Sequence, residues 1–187
     1  MRQLLCIVFL ACLSTASLAN GALVGRISLY SDATSTECTL ADSEPRFGDV
    51  FVVHNIGPIA GNAYLVRFRL SASAGFTGSW VQDFVPAGMS AIGTSPNGIA
   101  ISYQACRTGD IPILRVTYQL FGTSSPCSFL QAGAYPGTDF IETMDCSFDS
   151  YPVEGGALVV NSNESCPCQG PVAVQPTTWG QVKALYR

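Results

Sequence analysis

The 187-residue sequence has few charged side chains and very little lysine or histidine. Asp, Glu, Lys and Arg make up 12% of the chain, about half of their usual share in globular proteins. The formal net charge is −4 and the single lysine is Lys183, so no basic surface is expected and nucleic acid is not an expected partner. The single histidine, His54, cannot form a multi-histidine metal site.

Motifs with recognisable chemistry are also absent. The sequence contains no Gly-x-Ser-x-Gly nucleophile motif, no phosphate-binding loop and no dinucleotide fingerprint. Two acidic segments, 42–49 and 145–149, match no established calcium loop and are interpreted as solvated turns. We therefore expect no catalytic, metal-binding or cofactor-binding residues, and His54 is interpreted as a strand-end histidine with a satisfied hydrogen bond.

A long apolar run occurs only at the N terminus. Residues 1–19 pass from Arg2 through the apolar stretch 4–13 to the small residues Ser17 and Ala19, which is the pattern of a secretory signal peptide cleaved after Ala19. An apolar core of about 10 residues is too short to cross a bilayer, which needs roughly 20. We expect no transmembrane segment after cleavage, and a protein that is secreted, periplasmic or at the cell surface.

Cysteine is plentiful, with eight residues in the sequence. Cys6 and Cys12 are expected to leave with the leader, and an even number in an exported chain predicts three disulfides. A metal or redox role for the Cys-Pro-Cys sequence is the alternative. The six expected disulfide cysteines are Cys38, Cys106, Cys127, Cys146, Cys166 and Cys168.

Geometry limits how these cysteines can pair. Cys166 and Cys168 flank Pro167, and a bond between them would close a very small strained ring. Cys106 and Cys127 are expected at opposite ends of a strand, whereas the next strand returns to place Cys146 near Cys106. We predict a Cys106–Cys146 bridge. Cys38 and Cys127 then bond to Cys166 and Cys168, in an order that the sequence leaves open.

Apolar residues recur with a period of two, which is the spacing of a half-buried strand. Turn residues separate these runs, and no helical period is found before the tail. The pattern predicts an all-β fold, an antiparallel immunoglobulin-like β-sandwich of about eight strands in residues 20–168, with a closed barrel as the alternative. The predicted strands are 23–30, 50–54, 64–70, 79–85, 99–103, 114–120, 139–145 and 157–161.

Four side chains are candidate ligand contacts. Arg67, Arg69 and Arg115 fall on the polar faces of two predicted strands and would form an anion-binding stripe if those strands were neighbours. The same charges could instead prevent edge-to-edge aggregation. Trp80 is either an exposed platform for stacking on a sugar or a buried core residue.

The C-terminal residues differ in character from the rest. A proline-spaced linker, 169–176, precedes an expected short amphipathic helix at 177–187 that carries Lys183. Such a helix is too short to be stable alone, so it would pack on its own domain or serve as a sorting or anchoring signal. Its proposed apolar face consists of Trp179, Val182, Leu185 and Tyr186.

The sequence Ser-Leu-Tyr-Ser-Asp-Ala-Thr at 28–34 and the closing Thr-Trp-Gly-Gln-Val-Lys-Ala-Leu-Tyr-Arg mark a resemblance. Together with the leader and the scattered cysteines, they resemble uncharacterised secreted β-sandwich proteins of environmental bacteria. The resemblance covers the chain after the leader and is specific mainly at the tail. It implies a bacterial cell envelope or exterior and assigns no activity.

These observations favour a secreted, non-enzymatic β-sandwich that binds or displays something at the cell surface, with the tail as a sorting or anchoring element. The expected partners are a cell-surface component, a polysaccharide or the sorting machinery. Two alternatives remain: a secreted hydrolase that cleaves polysaccharide through a pair of carboxylates, and a carbohydrate-binding module.

Overall fold

The computed structural model describes residues 25–168, and every regular element in that range is a β-strand. The leader at 1–19, the linker at 169–176 and the amphipathic tail at 177–187 lie outside the described residues. The twelve strands are β1 (Gly25–Tyr30), β2 (Thr39–Leu40), β3 (Pro45–Ile56), β4 (Ala63–Ala72), β5 (Ser79–Phe84), β6 (Ser90–Thr94), β7 (Gly98–Arg107), β8 (Asp110–Phe121), β9 (Ser128–Gly133), β10 (Ile141–Met144), β11 (Ser150–Gly155) and β12 (Ala157–Val160).

The period-two pattern located eight of these strands, and the structure adds four. In β4, Val66, Phe68 and Leu70 are buried whereas Arg69 between them is exposed, as the alternation predicted. The strands that the pattern missed are β2, β6, β9 and β11. β2 has only two residues, and the other three contain glycine or proline, which weaken the strand signal. The expectation of about eight strands is therefore too low.

The strands form two layers that face each other. One layer has the order β11-β1-β3-β8-β5, and the other is built around β4, which pairs with β7, β9 and β10. Both layers turn their apolar side chains inward, so the predicted sandwich is confirmed. The fully buried core side chains include Ile27, Val50, Val52, Val66, Phe68, Ile99, Ile101, Ile113, Val116, Leu120, Leu130 and Leu158.

The two sides of the sandwich differ. On one side β11 pairs with β10 and also with β1, so backbone hydrogen bonds continue from one layer into the other. On the other side β5 and β6 are edge strands, which pair with β8 and β7 respectively. The β1–β11 and β2–β12 pairs are parallel, so the expectation of a purely antiparallel sandwich is wrong at these pairs. Strands joined by long connections can pair in parallel or antiparallel. A period of two is the same in both cases, so the sequence pattern does not distinguish them.

Three disulfides brace this sandwich. The predicted Cys106–Cys146 bridge is confirmed, with a Cα–Cα distance of 5.7 Å. It joins β7 to the turn after β10, and these two strands flank the start of β4. The order that the sequence left open is Cys38–Cys168 and Cys127–Cys166, each with a Cα–Cα distance of 5.7 Å.

No helix that is long and apolar enough to cross a membrane occurs in residues 25–168.

Candidate functional site

The three arginines of the predicted stripe lie in different layers. Arg67 and Arg69 are on β4, whereas Arg115 is on β8. Among the described strands β8 pairs with β3 and β5, and none of its pairings is with β4. The condition for a shared anion-binding stripe is therefore not met.

Arg67 is occupied by contacts within its own layer. Its guanidinium forms an ion pair with Glu142 of β10, and its Cζ lies 5.7 Å from the ring centroid of Tyr135. Glu142 is buried and also accepts a hydrogen bond from Ser150 Oγ at 2.6 Å. Arg69 is exposed. Arg67 thus holds β4 to β10, a structural role.

Trp80 lies on the edge strand β5 and is 36% exposed, so it is not a core tryptophan. Its indole Nε1 donates a hydrogen bond to Asp83 Oδ1 at 3.0 Å. The same carboxylate accepts hydrogen bonds from the backbone N and the Oγ of the buried Ser95, each at 2.7 Å. Asp83 therefore ties β5 to the turn between β6 and β7 on the open side of the sandwich, and Trp80 braces that contact.

His54 is fully buried between the layers. Its Nδ1 lies 2.7 Å from the hydroxyl of Tyr103 on β7, as the expectation of a hydrogen-bonded histidine requires. Its Nε2 has no hydrogen-bond partner among the described residues. Burial lowers the pKa of His54 to about 4 and raises the pKa of Tyr103 well above its ordinary value. Tyr103 is fully buried as well.

In each acidic segment one carboxylate anchors a loop, whereas Asp49 lies within β3. Asp42, expected in a solvated turn, is buried and accepts hydrogen bonds from Gly122 N at 2.7 Å and Ser124 N at 3.1 Å. Burial raises the pKa of Asp42, but the hydrogen bonds from Ser124 and Gly122 outweigh it and hold the pKa below its ordinary value. Asp145 similarly accepts from the backbone N of Ser147 and of Asp149.

No group of three or more His, Cys, Asp or Glu side chains in residues 25–168 is arranged to hold a metal ion.

A surface that the sequence analysis missed is the outer face of β1, β3, β8 and β5, here called the aromatic face. Strand register places Tyr30, Phe51, Arg115 and Phe84 side by side in one row across the four strands. Directly paired residues share a face of the sheet, so these side chains are neighbours. The Cζ of Arg115 lies 4.2 Å from the ring centroid of Phe84, which is a cation–π contact.

The next row of the aromatic face is polar. Asp49 pairs with Thr117, whose Oγ1 donates a hydrogen bond to Asp49 Oδ1 at 2.6 Å. Arg115 Nη1 lies 3.7 Å from Asp49 Oδ2. The arginine is therefore held between a carboxylate and an aromatic ring, and its guanidinium stays partly exposed.

Exposed phenylalanines continue the aromatic face beyond this polar row. Phe47 is 68% exposed and Phe121 is 39% exposed, as is Phe84 in the first row. Phe47 pairs with Gln119, and Phe121 pairs with Pro45 in the following row. Exposed aromatic side chains around an arginine are typical of protein-binding surfaces.

A cleft of about 380 Å³ adjoins the first row of the aromatic face. Its lining combines apolar side chains of β1, β3 and β8 with hydroxyl, amide and carboxyl groups. Asn55 Nδ2 donates to Asp110 Oδ1 at 2.9 Å, and Ser28 Oγ donates to Asn55 Oδ1 at 2.5 Å. The lining residues are Tyr30, Thr34, Ser35, Val53, Asn55, Asp110 and Pro112.

A sequence signal for the aromatic face existed in β3. Phe47, Asp49 and Phe51 alternate with the buried Gly48 and Val50, which means that phenylalanines occupy the solvent side. Polar residues are expected there. Which strands lie beside β3 could not be read from this pattern.

Comparison with known proteins shows the fold. No family model matches the chain, and no curated protein matches it in sequence. Among solved structures, a cohesin module from a Clostridium perfringens family 33 glycoside hydrolase has a TM-score of 0.53 at 9% identity, covering 75% of this chain and 99% of that one. The sixth cohesin of Acetivibrio cellulolyticus scaffoldin B, solved in complex with Cel5 dockerin, has a TM-score of 0.50 at 10% identity with the same coverage. The chain has a cohesin-like β-sandwich fold, and the immunoglobulin-like layout stays a prediction.

Proposed function

We propose that this chain is an extracellular, non-enzymatic β-sandwich that binds another protein through the aromatic face. The observation that carries the proposal is the row Phe51, Arg115 and Phe84, flanked by the exposed Phe47 and Phe121. Aromatic residues and arginine contribute most of the binding energy of protein interfaces. On a surface that contacts only water, exposed phenylalanines add no stability to the fold. The tail serves as the sorting or anchoring element of the same protein.

The rigidity of this face supports the proposal. Arg115 contacts both Asp49 and Phe84, so a partner would meet a side chain whose position is already fixed. A pre-ordered side chain loses less conformational entropy on binding. The face lies on paired strands rather than on a loop, which limits its movement further.

The fold comparison adds support of a different kind. The Acetivibrio cellulolyticus cohesin was solved in complex with a dockerin, so the same sandwich architecture serves a protein-binding module elsewhere. The Clostridium perfringens cohesin is a module of a glycoside hydrolase. A module of this kind would place its partner outside the cell, in keeping with the predicted leader and with the three disulfides.

Photo-crosslinking tests the proposal. A benzoylphenylalanine is placed at Phe84 on the aromatic face or, as the matched control, at Ile92, which is 78% exposed on the other layer. Both proteins are irradiated with the cell-surface fraction of the producing organism. We expect one discrete protein adduct from position 84 and none of that mass from position 92.

The adduct must also depend on the rest of the face. Arg115→Ala with Phe47→Ala should remove it, and the purified partner should bind the unmodified chain at least 10-fold more tightly than this double variant. Equal adducts from positions 84 and 92, no adduct at all, or full binding by the double variant would each contradict the proposal.

Deleting residues 169–187 tests the tail. We expect the truncated protein to fold and bind the same partner but to change its distribution between the cell-surface fraction and the medium. An unchanged distribution would contradict the sorting or anchoring role.

A further inference from the structure

We propose that the cleft beside the aromatic face receives a basic side chain, lysine or arginine, of the protein that docks there. The assignment rests on the proposed function and deepens it, because it names the chemistry that the partner must present. It follows from three properties of the cleft, namely an unneutralised carboxylate, an apolar floor and a preformed wall.

The carboxylate belongs to Asp110 at the start of β8. Asn55 Nδ2 fixes it by donating to Oδ1, and Ser28 Oγ in turn fixes the Asn55 amide. Within residues 25–168 the ion pairs are Arg67–Glu142 and Arg115–Asp49, so no described cation neutralises Asp110. One oxygen of an oriented carboxylate is left to accept from a ligand.

Arg26 does not neutralise Asp110, although strand register places the two residues near each other. It shares a row with Asn55 and Asp110 on the same face. Its Nε lies beside Gly156, 3.2 Å from the position that a Cβ on this glycine would occupy. Gly156 follows β11, which pairs with β1 on the side opposite to β3. The side chain therefore turns away from the cleft and leaves the carboxylate open.

The floor of the cleft is apolar. Tyr30 and Val53 contribute buried surfaces, and Pro112 lies where the β3–β8 register shifts at a bulge. A proline is tolerated in a sheet at such a position because a bulge leaves a backbone hydrogen bond unmade. An apolar floor ending in a carboxylate matches an amphipathic cation, with an aliphatic stem and a charged head.

The far wall is the loop after β1, and it is already ordered. The Asp32 carboxylate accepts hydrogen bonds from the backbone N of Thr34, Thr36 and Glu37, at 3.0, 3.0 and 2.6 Å. These bonds hold Ser35, a lining residue, at a φ of 59°. The hydrogen bond from the Thr34 hydroxyl and those from the loop backbone hold the pKa of Asp32 well below its ordinary value.

A bound metal ion fits the cleft less well. Hard cations such as calcium take six to eight oxygen ligands, usually with several carboxylates. Asp110 is the one carboxylate among the lining residues. One carboxylate with hydroxyl and amide oxygens suits an ammonium or guanidinium group, which needs only a few acceptors.

Nuclear magnetic resonance of the full exported chain tests the assignment. The probes are the N-acetyl N′-methylamides of lysine, arginine and norleucine, and norleucine supplies the aliphatic stem without the charge. We expect lysine and arginine to shift the amide signals of Ser35 and Asn55 in a saturable manner at millimolar concentration. Norleucine should give at least a 5-fold smaller effect, and 0.5 M salt should weaken the binding.

Variants complete the test. Asp110→Asn keeps the size of the side chain and an acceptor for Asn55 but removes the charge. It should reduce the affinity for the lysine probe at least 5-fold. Asp139→Asn, an equal change of charge at an exposed site between β9 and β10, should leave the binding unchanged. Equal effects of the two variants, or equal shifts from norleucine, would overturn the assignment.

This outcome is separable from that of the proposed function. If the probes do not bind while the Phe84 adduct forms normally, the cleft assignment fails alone. If the adduct is absent while lysine binds at Asp110, the protein-docking proposal fails and the cleft remains a site for a basic group from another source.

Discussion

His54 Nδ1 lies 2.7 Å from the Tyr103 hydroxyl, and this contact joins β3 of one layer to β7 of the other inside the core. Both side chains are fully buried. Burial holds the imidazole neutral, because a charged ring would lose its hydration without gaining a counter-ion. Stability should therefore depend on pH through this residue.

The expected pH dependence has a definite sign. Above pH 6.5 the imidazole is neutral in both the folded and the unfolded chain, so His54 has no effect. Between 6.5 and its folded pKa of about 4, the unfolded chain binds a proton that the folded chain does not, and the free energy of unfolding falls as the pH falls. The total loss is about 3 kcal/mol.

Urea unfolding at pH 7.5, 5.5 and 4 measures this loss. Carboxylates also titrate in that range, so His54→Gln provides the reference. The difference in unfolding free energy between the two proteins should change by about 3 kcal/mol from pH 7.5 to 4. Parallel curves for the two proteins would show that His54 does not titrate in this way.

Replacing Asp42 by alanine should destabilise the protein by about 3 kcal/mol, because two backbone N–H groups, those of Gly122 and Ser124, lose a charged acceptor. Asp149→Ala, at an exposed site, should cost less than about 1 kcal/mol. Urea unfolding at pH 7 gives both values. A loss for Asp42→Ala as small as that expected for Asp149→Ala would mean that the hydrogen bonds to Asp42 add no stability.

Removing the Cys106–Cys146 bridge by a double change to serine should cost about 4 kcal/mol, since the bridge closes a long loop with a sequence separation of 40. Single changes to serine leave an unpaired thiol and are poorer tests. The unfolding midpoint in guanidinium chloride reports the loss. A double variant as stable as the parent would rule out a stabilising role for this bridge.

Mass analysis of the unreduced protein should find no free thiol among the six cysteines of residues 25–168. Fragmentation between Cys166 and Cys168 should assign Cys166 to the peptide of Cys127, and Cys168 to that of Cys38. The reverse assignment would contradict the structure, and six free thiols would contradict any disulfide framework.

Asp83→Ala should destabilise the protein by about 2 kcal/mol, because the buried Ser95 loses the acceptor of its backbone N and its Oγ. Trp80→Phe should cost about 1 kcal/mol or less, since it removes one partly exposed hydrogen bond. Thermal unfolding of both variants at pH 7 compares them. A larger loss for Trp80→Phe would mean that the indole, rather than the carboxylate, holds β5 in place.

Part of the site was within reach of the sequence. The alternation in β3 places Phe47 and Phe51 opposite the buried Val50, which is enough to identify an aromatic surface. The stripe of Arg67, Arg69 and Arg115 depended on β4 and β8 being neighbours, which alternation within each strand does not reveal. These strands are in different layers, so Arg67 meets Glu142 and Arg115 meets Phe84.

The sequence by itself determined eight of the twelve strands, the oxidised cysteines and the Cys106–Cys146 pair, because residue alternation and the length of each strand can be read along the chain. Only the tertiary structure decided which strands are neighbours. Asn55 and Asp110 are far apart in sequence yet share a hydrogen bond, and Arg115 fits between Phe51 and Phe84. Such proximity depends on packing two whole layers together, which a period of two does not specify.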